Sequence, residues 1–434
     1  MNQQTSLKSD TLSTSKFEQR MEQIKTDIQR YRSIEQSEEL KEFQALREVV
    51  ETKEFQDNKN YLLHRKYRDT DEYKKMSRYR RLKLSPLVLR YRWIRTYPNF
   101  KEYLAFAQSE RYAELKDKAT VAASSELRTY KWIDRSLTLK DYCHCEKSAA
   151  TKEFLSLREI VHTEEFIKSN AFWADSKRWY TTEESKQDAR YQALKESDAI
   201  RFYLSQDANQ IALWESYKTL FDDECEQTTA WKAGFYYDNK NLKTDHSYCN
   251  EQQANNHGKN VSVAGSILSV ETKNEAVSAS AWHPTKGFIT KDFAWTGDTI
   301  QTAEVFQSKT GVFLAKVRVS GMGSAAVYLA TGERQPVLKL MQWDGRQVSA
   351  GIRTAKDEAT VTINGLKAGQ WYVYGVQITD SEVVWSVNGQ EILRIKNNLG
   401  SKTFYPAIAE FLPENLPAGK GQVDVDWVRV YDRQ

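Results

Sequence analysis

The residues best suited to hold a metal ion are Cys143, His144 and Cys145, which are adjacent in the chain. A structural zinc site needs four ligands, and no second pair of cysteines or histidines follows at a suitable spacing. The other two cysteines, Cys225 and Cys249, are 24 residues apart and form no Cys-x-x-Cys pair. We therefore expect free thiols, no metal site and no cofactor.

A second group of residues that could bind a ligand is the basic stretch 59–95. It carries 13 Lys and Arg against three acidic residues, with tyrosines between them. Basic residues interleaved with aromatic ones are typical of single-stranded nucleic-acid binding. They are also typical of a solvated helix surface or of a docking face for an acidic protein. Nucleic acid is the less favoured partner, but it stays open. The candidate contact residues are Arg78, Arg80, Arg81, Lys83, Arg90, Arg92 and Arg95.

The distribution of glycine divides the chain of 434 residues into two parts. All 18 glycines lie at or after Gly234, and five of the seven prolines do as well. A long stretch without glycine that is rich in Glu, Lys, Arg, Leu and Ala favours helix, whereas frequent glycine between Val, Ile and Tyr runs favours strands joined by turns. The sequence therefore predicts an N-terminal all-α region followed by an all-β region.

The helical region contains an internal repeat. KEFQALREVVETKEF (Lys41 to Phe55) matches KEFLSLREIVHTEEF (Lys152 to Phe166) at 10 of 15 positions. Weaker copies begin at Tyr79 and Tyr191, and a degenerate one is YAELK at 112–116. Copies spaced by 33 to 42 residues indicate stacked helical hairpins. The aromatic residues are expected in the core, and Thr52, Ser85, Thr163 and Ser197 are expected as helix N-caps.

Three segments follow from these patterns. Residues 1–15 are polar and are predicted to be a disordered tail. Residues 16–220 are predicted to form the helical-repeat domain, and residues 221–434 a β-sandwich. No stretch approaches the ~20 apolar residues of a membrane helix, so we expect no membrane partner. The absence of a secretory signal and the low cysteine content favour the cytoplasm.

Several strand-like segments of the C-terminal half resemble, in order, family-16 glycoside hydrolases, the laminarinase and β-glucanase group. They are NVSVAGSILSVETK (260–273), GDTIQT (297–302), GVFLAKVRVS (311–320), QWYVYGVQITDSEVVWSVNGQEILRI (370–395) and VDVDWVRVY (423–431). LFDDE at 220–224 resembles the opening stretch of the family. The resemblance covers roughly 215 residues and implies a β-jelly roll of two antiparallel sheets with a sugar-binding face.

The resemblance also locates the strand that carries catalysis in the family. Its members use Glu-x-Asp-x-x-Glu on one strand, with a bulge that returns the last Glu to the face of the first two. The corresponding segment here is VLKLMQW (337–343). Val337, Lys339 and Gln342 then replace the nucleophile, the helper acid and the acid/base. Retaining glycosidases need two carboxyl groups at about 5–5.5 Å, so the family chemistry is expected to be lost.

A sugar-binding cleft can outlast the loss of catalysis if flat aromatic faces still line it. The candidates for glycan contact are Trp282, Trp295, Trp343, Gln342 and His283. Each Trp has the alternative of belonging to the sandwich core, since large aromatic side chains dominate cores. Trp282, His283 and Trp295 lie in loop-like stretches, where binding residues concentrate.

These observations predict a non-catalytic protein that binds a glycan, such as a β-glucan, or that serves in assembly. The helical array would then contact a protein partner or another copy of the chain. Two alternatives stay open. One is an active β-glucanase whose carboxylates have moved, and the other is binding of a nucleic acid or polyanion by 59–95.

Overall fold

The computed structural model describes residues 2–7, 13–110, 131–236, 242–244, 246–333 and 335–433. They form two compact units: residues 34–204, and residues 1–33 together with 205–434. The first is helical and the second is built around a β-sandwich, which confirms the expected α plus β fold class. The repeat-like segment 112–116 lies outside the described residues.

Helix α1 spans Thr14–Glu35 and belongs largely to the sandwich unit. Eleven α-helices follow in the described residues; ten of them form the helical unit, and the last, α12, belongs to the sandwich unit. They are α2 (Glu38–Val50), α3 (Lys53–His64), α4 (Asp71–Lys83), α5 (Pro86–Ile94), α6 (Pro98–Ala107), α7 (Leu137–Lys147), α8 (Ala149–Val161), α9 (Glu164–Ala174), α10 (Glu183–Lys195), α11 (Asp198–Ser205) and α12 (Ala208–Glu215).

Side-chain caps begin several of these helices. Thr52 and Thr163 accept hydrogen bonds from the backbone N–H groups of Phe55 and Phe166, both at 3.2 Å. Ser197 accepts one from Ile200 N–H at 3.3 Å. Ser85 makes no such bond, and α5 instead begins with Pro86, whose missing N–H would have no partner in the first turn. Three of the four expected caps are therefore present in the structure.

The helices of the helical unit pair across long sequence separations. Helix α2 packs on α10, α4 on α8, and α5 on α7. Stacked hairpins would instead place most contacts between consecutive helices. The later helices thus pair with the earlier ones in reverse order. The repeat segment 41–55 contacts the copy that begins at Tyr191, and the copy that begins at Tyr79 contacts 152–166.

One contact occurs in all three pairs: two aromatic rings stack, and the residues just before them form an ion pair. The ring centroids are 5.4, 5.4 and 5.3 Å apart. The ion-pair N–O distances are 2.6, 2.6 and 2.8 Å. The residues are Glu42-Phe43 with Arg190-Tyr191, Glu153-Phe154 with Arg78-Tyr79, and Asp141-Tyr142 with Arg90-Tyr91.

The sandwich unit contains two large sheets with a shared apolar core. Sheet A has the strand order β1-β18-β17-β16-β15-β22-β13-β3, and sheet B has the order β21-β20-β19-β14-β23-β9-β8, with β2 also on β23. Alternate residues of both sheets, such as Leu338, Val327, Phe313 and Trp385, fill the core. The opposite face of sheet A is left for other contacts.

The strands have the following bounds: β1 (Asn2–Ser6), β2 (Tyr217–Asp223), β3 (Lys232–Ala233), β4 (Phe235–Tyr236), β5 (Leu242–Lys243), β6 (Ser247–Tyr248), β7 (Gln253–Asn255), β8 (Val261–Val263), β9 (Leu268–Glu271), β10 (Val277–His283), β11 (Gly287–Phe293), β12 (Trp295–Gly297), β13 (Thr299–Gln301), β14 (Gly311–Gly321), β15 (Ser324–Ala330), β16 (Val337–Trp343), β17 (Val348–Arg353), β18 (Glu358–Asn364), β19 (Tyr372–Ile378), β20 (Glu382–Val387), β21 (Gln390–Lys396), β22 (Tyr405–Phe411) and β23 (Gly421–Arg433).

The N-terminal segment differs from the expected disordered tail. Asn2–Ser6 form β1, which pairs in parallel with β18 at the edge of sheet A. A free strand edge offers unpaired backbone N–H and C=O groups, and these can order a polar segment that has no core of its own. Residues 8–12 lie outside the described part of the chain. The proposed boundary at 220/221 falls within β2, which begins at Tyr217.

Helix α1 covers the outer face of sheet B. Phe17 packs on the cluster formed by Leu314, Val373 and Trp427. Next to it, Lys316 makes ion pairs with Glu18 at 2.7 Å and with Asp426 at 2.9 Å. The start of the chain is therefore part of the sandwich unit, although the 171 residues of the helical unit (34–204) separate it from the rest of that unit.

We predict that the stacked aromatic pairs carry much of the stability of the helical unit. Phe154→Ala should reduce the free energy of unfolding by roughly 3–5 kcal/mol, because Phe154 is a buried Phe whose removal leaves a cavity. The double charge reversal Arg80→Glu/Arg81→Glu is the control, because both side chains are exposed, and it should barely change the melting temperature. Unfolding by the reversal together with a silent Phe154→Ala would mean that core and surface are assigned the wrong way round.

A second prediction concerns Glu410, whose carboxyl group lies in the sandwich with neither oxygen bonded to a described partner. Burial raises its pKa well above 4.5. Below pH 4.5 both folded and unfolded forms are protonated and stability is complete. As the pH rises toward the folded pKa, the unfolded state ionises first, and stability should fall by up to about 1.4 kcal/mol per pH unit.

The measurement is chemical unfolding of the wild type and of Glu410→Gln between pH 4 and pH 9. The glutamine variant should have a shallower downward slope, with the part due to Glu251 left in place, whereas Glu226→Gln, which changes an exposed carboxyl, should retain the full slope. An unchanged slope in Glu410→Gln would show that Glu410 is not the group responsible.

Candidate functional site

Strand β16 carries a bulge that decides which of its side chains face outward. Its register with β15 runs Tyr328 to Lys339 and then Val327 to Met341, so that Leu340 is the extra residue. The register with β17 shifts over the same interval. Strict alternation would place Val337 and Lys339 on one face and Gln342 on the other. The bulge returns Gln342 to the face of Val337 and Lys339.

This outer face of sheet A forms the floor of a cavity of about 350 Å³, here called the sheet A cavity. Val337, Lys339 and Gln342 all line it, together with Tyr328 of β15 and Tyr405 of β22. The three positions that the family resemblance assigned to catalysis therefore meet in one open site. In place of three carboxyl groups the site holds a methyl-bearing side chain, an ammonium group and an amide.

An aromatic pocket of about 220 Å³ adjoins the sheet A cavity, with which it shares Phe235, His246 and Tyr248 as lining residues. Trp282 and Phe288 of the β10–β11 hairpin complete its wall. The rings of Trp282 and Phe288 are 5.1 Å apart and those of Phe235 and Tyr248 are 5.6 Å apart. The flat apolar faces of these aromatic rings thus lie next to the polar sheet A cavity.

The remaining glycan-contact candidates lie elsewhere. Trp343 is buried in the sandwich core and directs its indole N–H toward the Gly321 carbonyl at 3.4 Å, because the bulge that turns Gln342 outward turns the next side chain inward. His283 uses Nδ1 to accept hydrogen bonds from the backbone N–H groups of Thr285 and Lys286, both at 3.3 Å, and so stabilises the hairpin turn. Trp295, on β12, lines neither cavity. None of these three lines the sheet A cavity or the aromatic pocket.

Glu251 lines the sheet A cavity and had no distinguishing signal in the sequence. It lies between β6 and β7, in a segment held by Lys291, whose ammonium group donates to the carbonyls of Cys249 and Glu251 at 2.6 and 2.9 Å. Burial raises the pKa of Glu251 to about 8, and the charge of Lys291 opposes this only in part. The carboxyl group is therefore mostly protonated at neutral pH.

The other carboxyl groups of the cavity are already committed. Glu333 pairs with Lys402 at 2.6 Å. Asp298 accepts hydrogen bonds from the backbone N–H groups of Asn256 and Asn260 at 3.0 and 2.8 Å, which holds the loop between β7 and β8. Neither is arranged as a free nucleophile.

The basic stretch of the helical unit is only partly available for a partner. Arg78 and Arg90 are used in the ion pairs of the stacked helices. Arg95 donates to the Tyr91 hydroxyl at 2.6 Å. All seven candidates are exposed, and those that make no ion pair or side-chain hydrogen bond with a described residue are Arg80, Arg81, Lys83 and Arg92.

Three negative findings hold for the described residues. No group of three or more His, Cys, Asp or Glu residues is placed to hold a metal ion. All four cysteines, including Cys143 and Cys145, are free thiols. No described helix has both the length and the apolar character needed to cross a membrane.

This chain shows only a distant structural similarity to known proteins. No family model matches the sequence, and no curated protein matches it either. Among solved structures, the catalytic domain of an endo-1,3-β-glucanase (laminarinase) from Thermotoga petrophila is 14% identical with a TM-score of 0.40, and the match covers 50% of this chain and 98% of that one. The endo-β-1,3-glucanase from Pyrococcus furiosus is 16% identical with a TM-score of 0.39, covering 50% and 95%.

The κ-carrageenase from Pseudoalteromonas carrageenovora, solved with an oligotetrasaccharide of κ-carrageenan, is 13% identical with a TM-score of 0.39, covering 50% and 96%. Each match spans half of this chain. Likeness at this level concerns the fold alone, so the chemistry of this protein has to be argued from its own residues.

We predict that Glu251 titrates far from an ordinary glutamate. Carbon-13 NMR of the side-chain carboxyl groups, with Glu251→Gln to identify the signal, should show a midpoint near pH 8, because burial disfavours the charged form. A midpoint near pH 4.5 would mean that water reaches the carboxyl group freely.

Proposed function

We propose that the sandwich is a non-catalytic carbohydrate-binding domain and that its ligand site is the sheet A cavity with the adjoining aromatic pocket. The observation that carries the proposal is that Val337, Lys339 and Gln342 line an open cavity of about 350 Å³. A site that had lost both its chemistry and its ligand would gain stability by filling this space with side chains.

The chemical character of the lining supports a sugar. Pyranose rings present both apolar C–H faces and hydroxyl groups, so their sites combine aromatic surfaces with a few polar groups. Here Trp282 and Phe288 supply the aromatic surface. Gln342 supplies an amide that can both donate and accept hydrogen bonds.

The replacements on β16 argue against glycoside hydrolysis at this position. Valine cannot act as a nucleophile, and an amide cannot deliver a catalytic proton. The retaining mechanism depends on two carboxyl groups at about 5–5.5 Å across the scissile bond. Cleavage would have to use carboxyl groups from other elements of the cavity.

Glu251 is the observation that favours the second candidate function, hydrolysis with relocated carboxyl groups. A carboxyl group with a pKa near 8 is protonated at neutral pH, which is what a general acid requires. Its partner would have to be Asp298 or Glu333, and both are engaged, one by backbone N–H groups and the other by Lys402. We therefore favour binding over hydrolysis.

We predict binding of oligosaccharides without turnover. On a glycan array and in titration calorimetry, Trp282→Ala should weaken binding about tenfold or more, because the ligand loses a stacking surface. The control is Trp132→Ala, which removes a Trp that is 70% exposed in the helical unit. The purified protein should release no reducing ends from β-1,3- or β-1,4-glucans, and Val337→Glu alone should not create activity.

Two outcomes would contradict this proposal. Equal loss of binding in both Trp variants would place the ligand site outside the aromatic pocket. Turnover by the unmodified chain that is abolished by Glu251→Gln would establish hydrolysis with relocated carboxyl groups instead.

A further inference from the structure

The sheet A cavity is lined by more available positive charge than available negative charge. Lys339 and Arg353 both line it and lie on neighbouring strands, where Arg353 is the register partner of Val337 and Lys339 that of Gly351. The two cations are close enough for the charge of Arg353 to disfavour the charge of Lys339. Two positive charges held together in one cavity repel each other, and a negative counter-charge would relieve this repulsion.

The acidic groups supply little of that counter-charge. Glu333 is neutralised by Lys402 at 2.6 Å. Asp298 is turned to backbone N–H groups, and Glu251, with a pKa near 8, is mostly uncharged at neutral pH. The one described carboxylate close to Lys339 is Glu358, at 3.5 Å, and it also lies opposite Arg353 across β17 and β18.

The ammonium group of Lys339 has N–H donors available for a ligand. Its side chain is only 17% exposed, and burial lowers its pKa because the charged form has lost much of its water. An ammonium group carries three N–H donors, and the long contact with Glu358 is the side-chain hydrogen bond found for it among the described residues. An anion in the cavity would supply acceptors that water supplies elsewhere.

Arg353 complements Lys339 from the neighbouring strand β17, where it is the register partner of Val337. Its guanidinium group has five N–H donors in a planar fork that matches the oxygens of a carboxylate or a sulfate. No described residue forms an ion pair with it. Val337, next to both cations, adds no competing charge, whereas a carboxylate there would neutralise them from within the protein.

We propose that the sheet A cavity selects sugars that carry an anionic group, a carboxylate or a sulfate, and that Lys339 and Arg353 hold this group. The inference rests on the proposed carbohydrate-binding function and specifies its ligand class. On this view the substitution at position 339 did more than remove a helper acid, because it reversed the charge that the floor of the cavity presents to its ligand.

The test is titration calorimetry of the full chain with two matched ligand pairs. One pair is a uronic acid tetrasaccharide and its uncharged methyl ester; the other is a sulfated galactan tetrasaccharide and its desulfated form. In at least one pair the charged member should bind about tenfold or more tightly than its neutral counterpart, and the pair that shows this difference identifies the anionic group as carboxylate or sulfate.

The variants Lys339→Gln and Arg353→Gln should each abolish most of that preference, measured as the ratio of the affinities for the charged and the neutral member of a pair. Lys356→Gln is the matched control, since it removes one positive charge from the exposed turn between β17 and β18. Arg80→Glu/Arg81→Glu tests whether the helical unit attracts the anion. Both controls should bind like the wild type, and thermal unfolding should confirm that all variants fold.

Equal affinity for the charged and neutral members of both pairs would overturn the inference and leave the proposed function standing. A preference that survives Lys339→Gln and Arg353→Gln but disappears in the Arg80/Arg81 reversal would also overturn it, because the charge would then act outside the cavity. Failure to bind any oligosaccharide would overturn the proposed function itself, and the inference with it.

Discussion

The bulge in β16 is the constraint on which the site of this protein depends. Leu338, Leu340, Met341 and Trp343 are all held in the core between the two sheets. Since the core takes both Leu340 and the next residue, Met341, the strand has to bulge at this point, and Val337, Lys339 and Gln342 are left together on the outer face. A regular strand could not place all three there, because its side chains alternate strictly between the two faces.

This geometry is independent of the chemistry that it presents. The sandwich holds an amide, an ammonium group and an isopropyl group in the cavity as firmly as it could hold carboxylates, because the core side of the strand provides the stability. The shape of the site therefore does not depend on which polar groups line it. The cavity, its aromatic extension and its two cations are the basis of the ligand class proposed for it.

The helical unit is stabilised in a different way from the sandwich unit. Its stability comes from a small contact used three times, in which two aromatic rings stack and the preceding side chains form an ion pair. The rings supply most of the stabilisation through burial, whereas the ion pairs are exposed and serve mainly to align the helices. Because each contact joins helices that are distant in sequence, the loss of one ring should loosen both halves of the unit.

Several features could be read from the sequence because they depend on local composition. The absence of glycine before Gly234 predicts helices, and the caps at Thr52 and Thr163 follow from residue type and position. The residue types at 337, 339 and 342 follow directly from the order of the chain. The resemblance to a known strand pattern was enough to assign these three positions to one face.

Other features were decided only by the tertiary structure. Trp343 is a core residue because the bulge in β16 moves its side chain from the outer face to the core face of sheet A. The bulge in turn is required by packing against the opposing sheet. The neighbouring positions of Lys339 and Arg353, and the raised pKa of Glu251, arise from strand register and burial. The pairing of Phe43 with Tyr191 joins residues 148 positions apart. Local sequence determines which conformation a segment favours, whereas packing between distant segments determines which side chains meet and in what charge state.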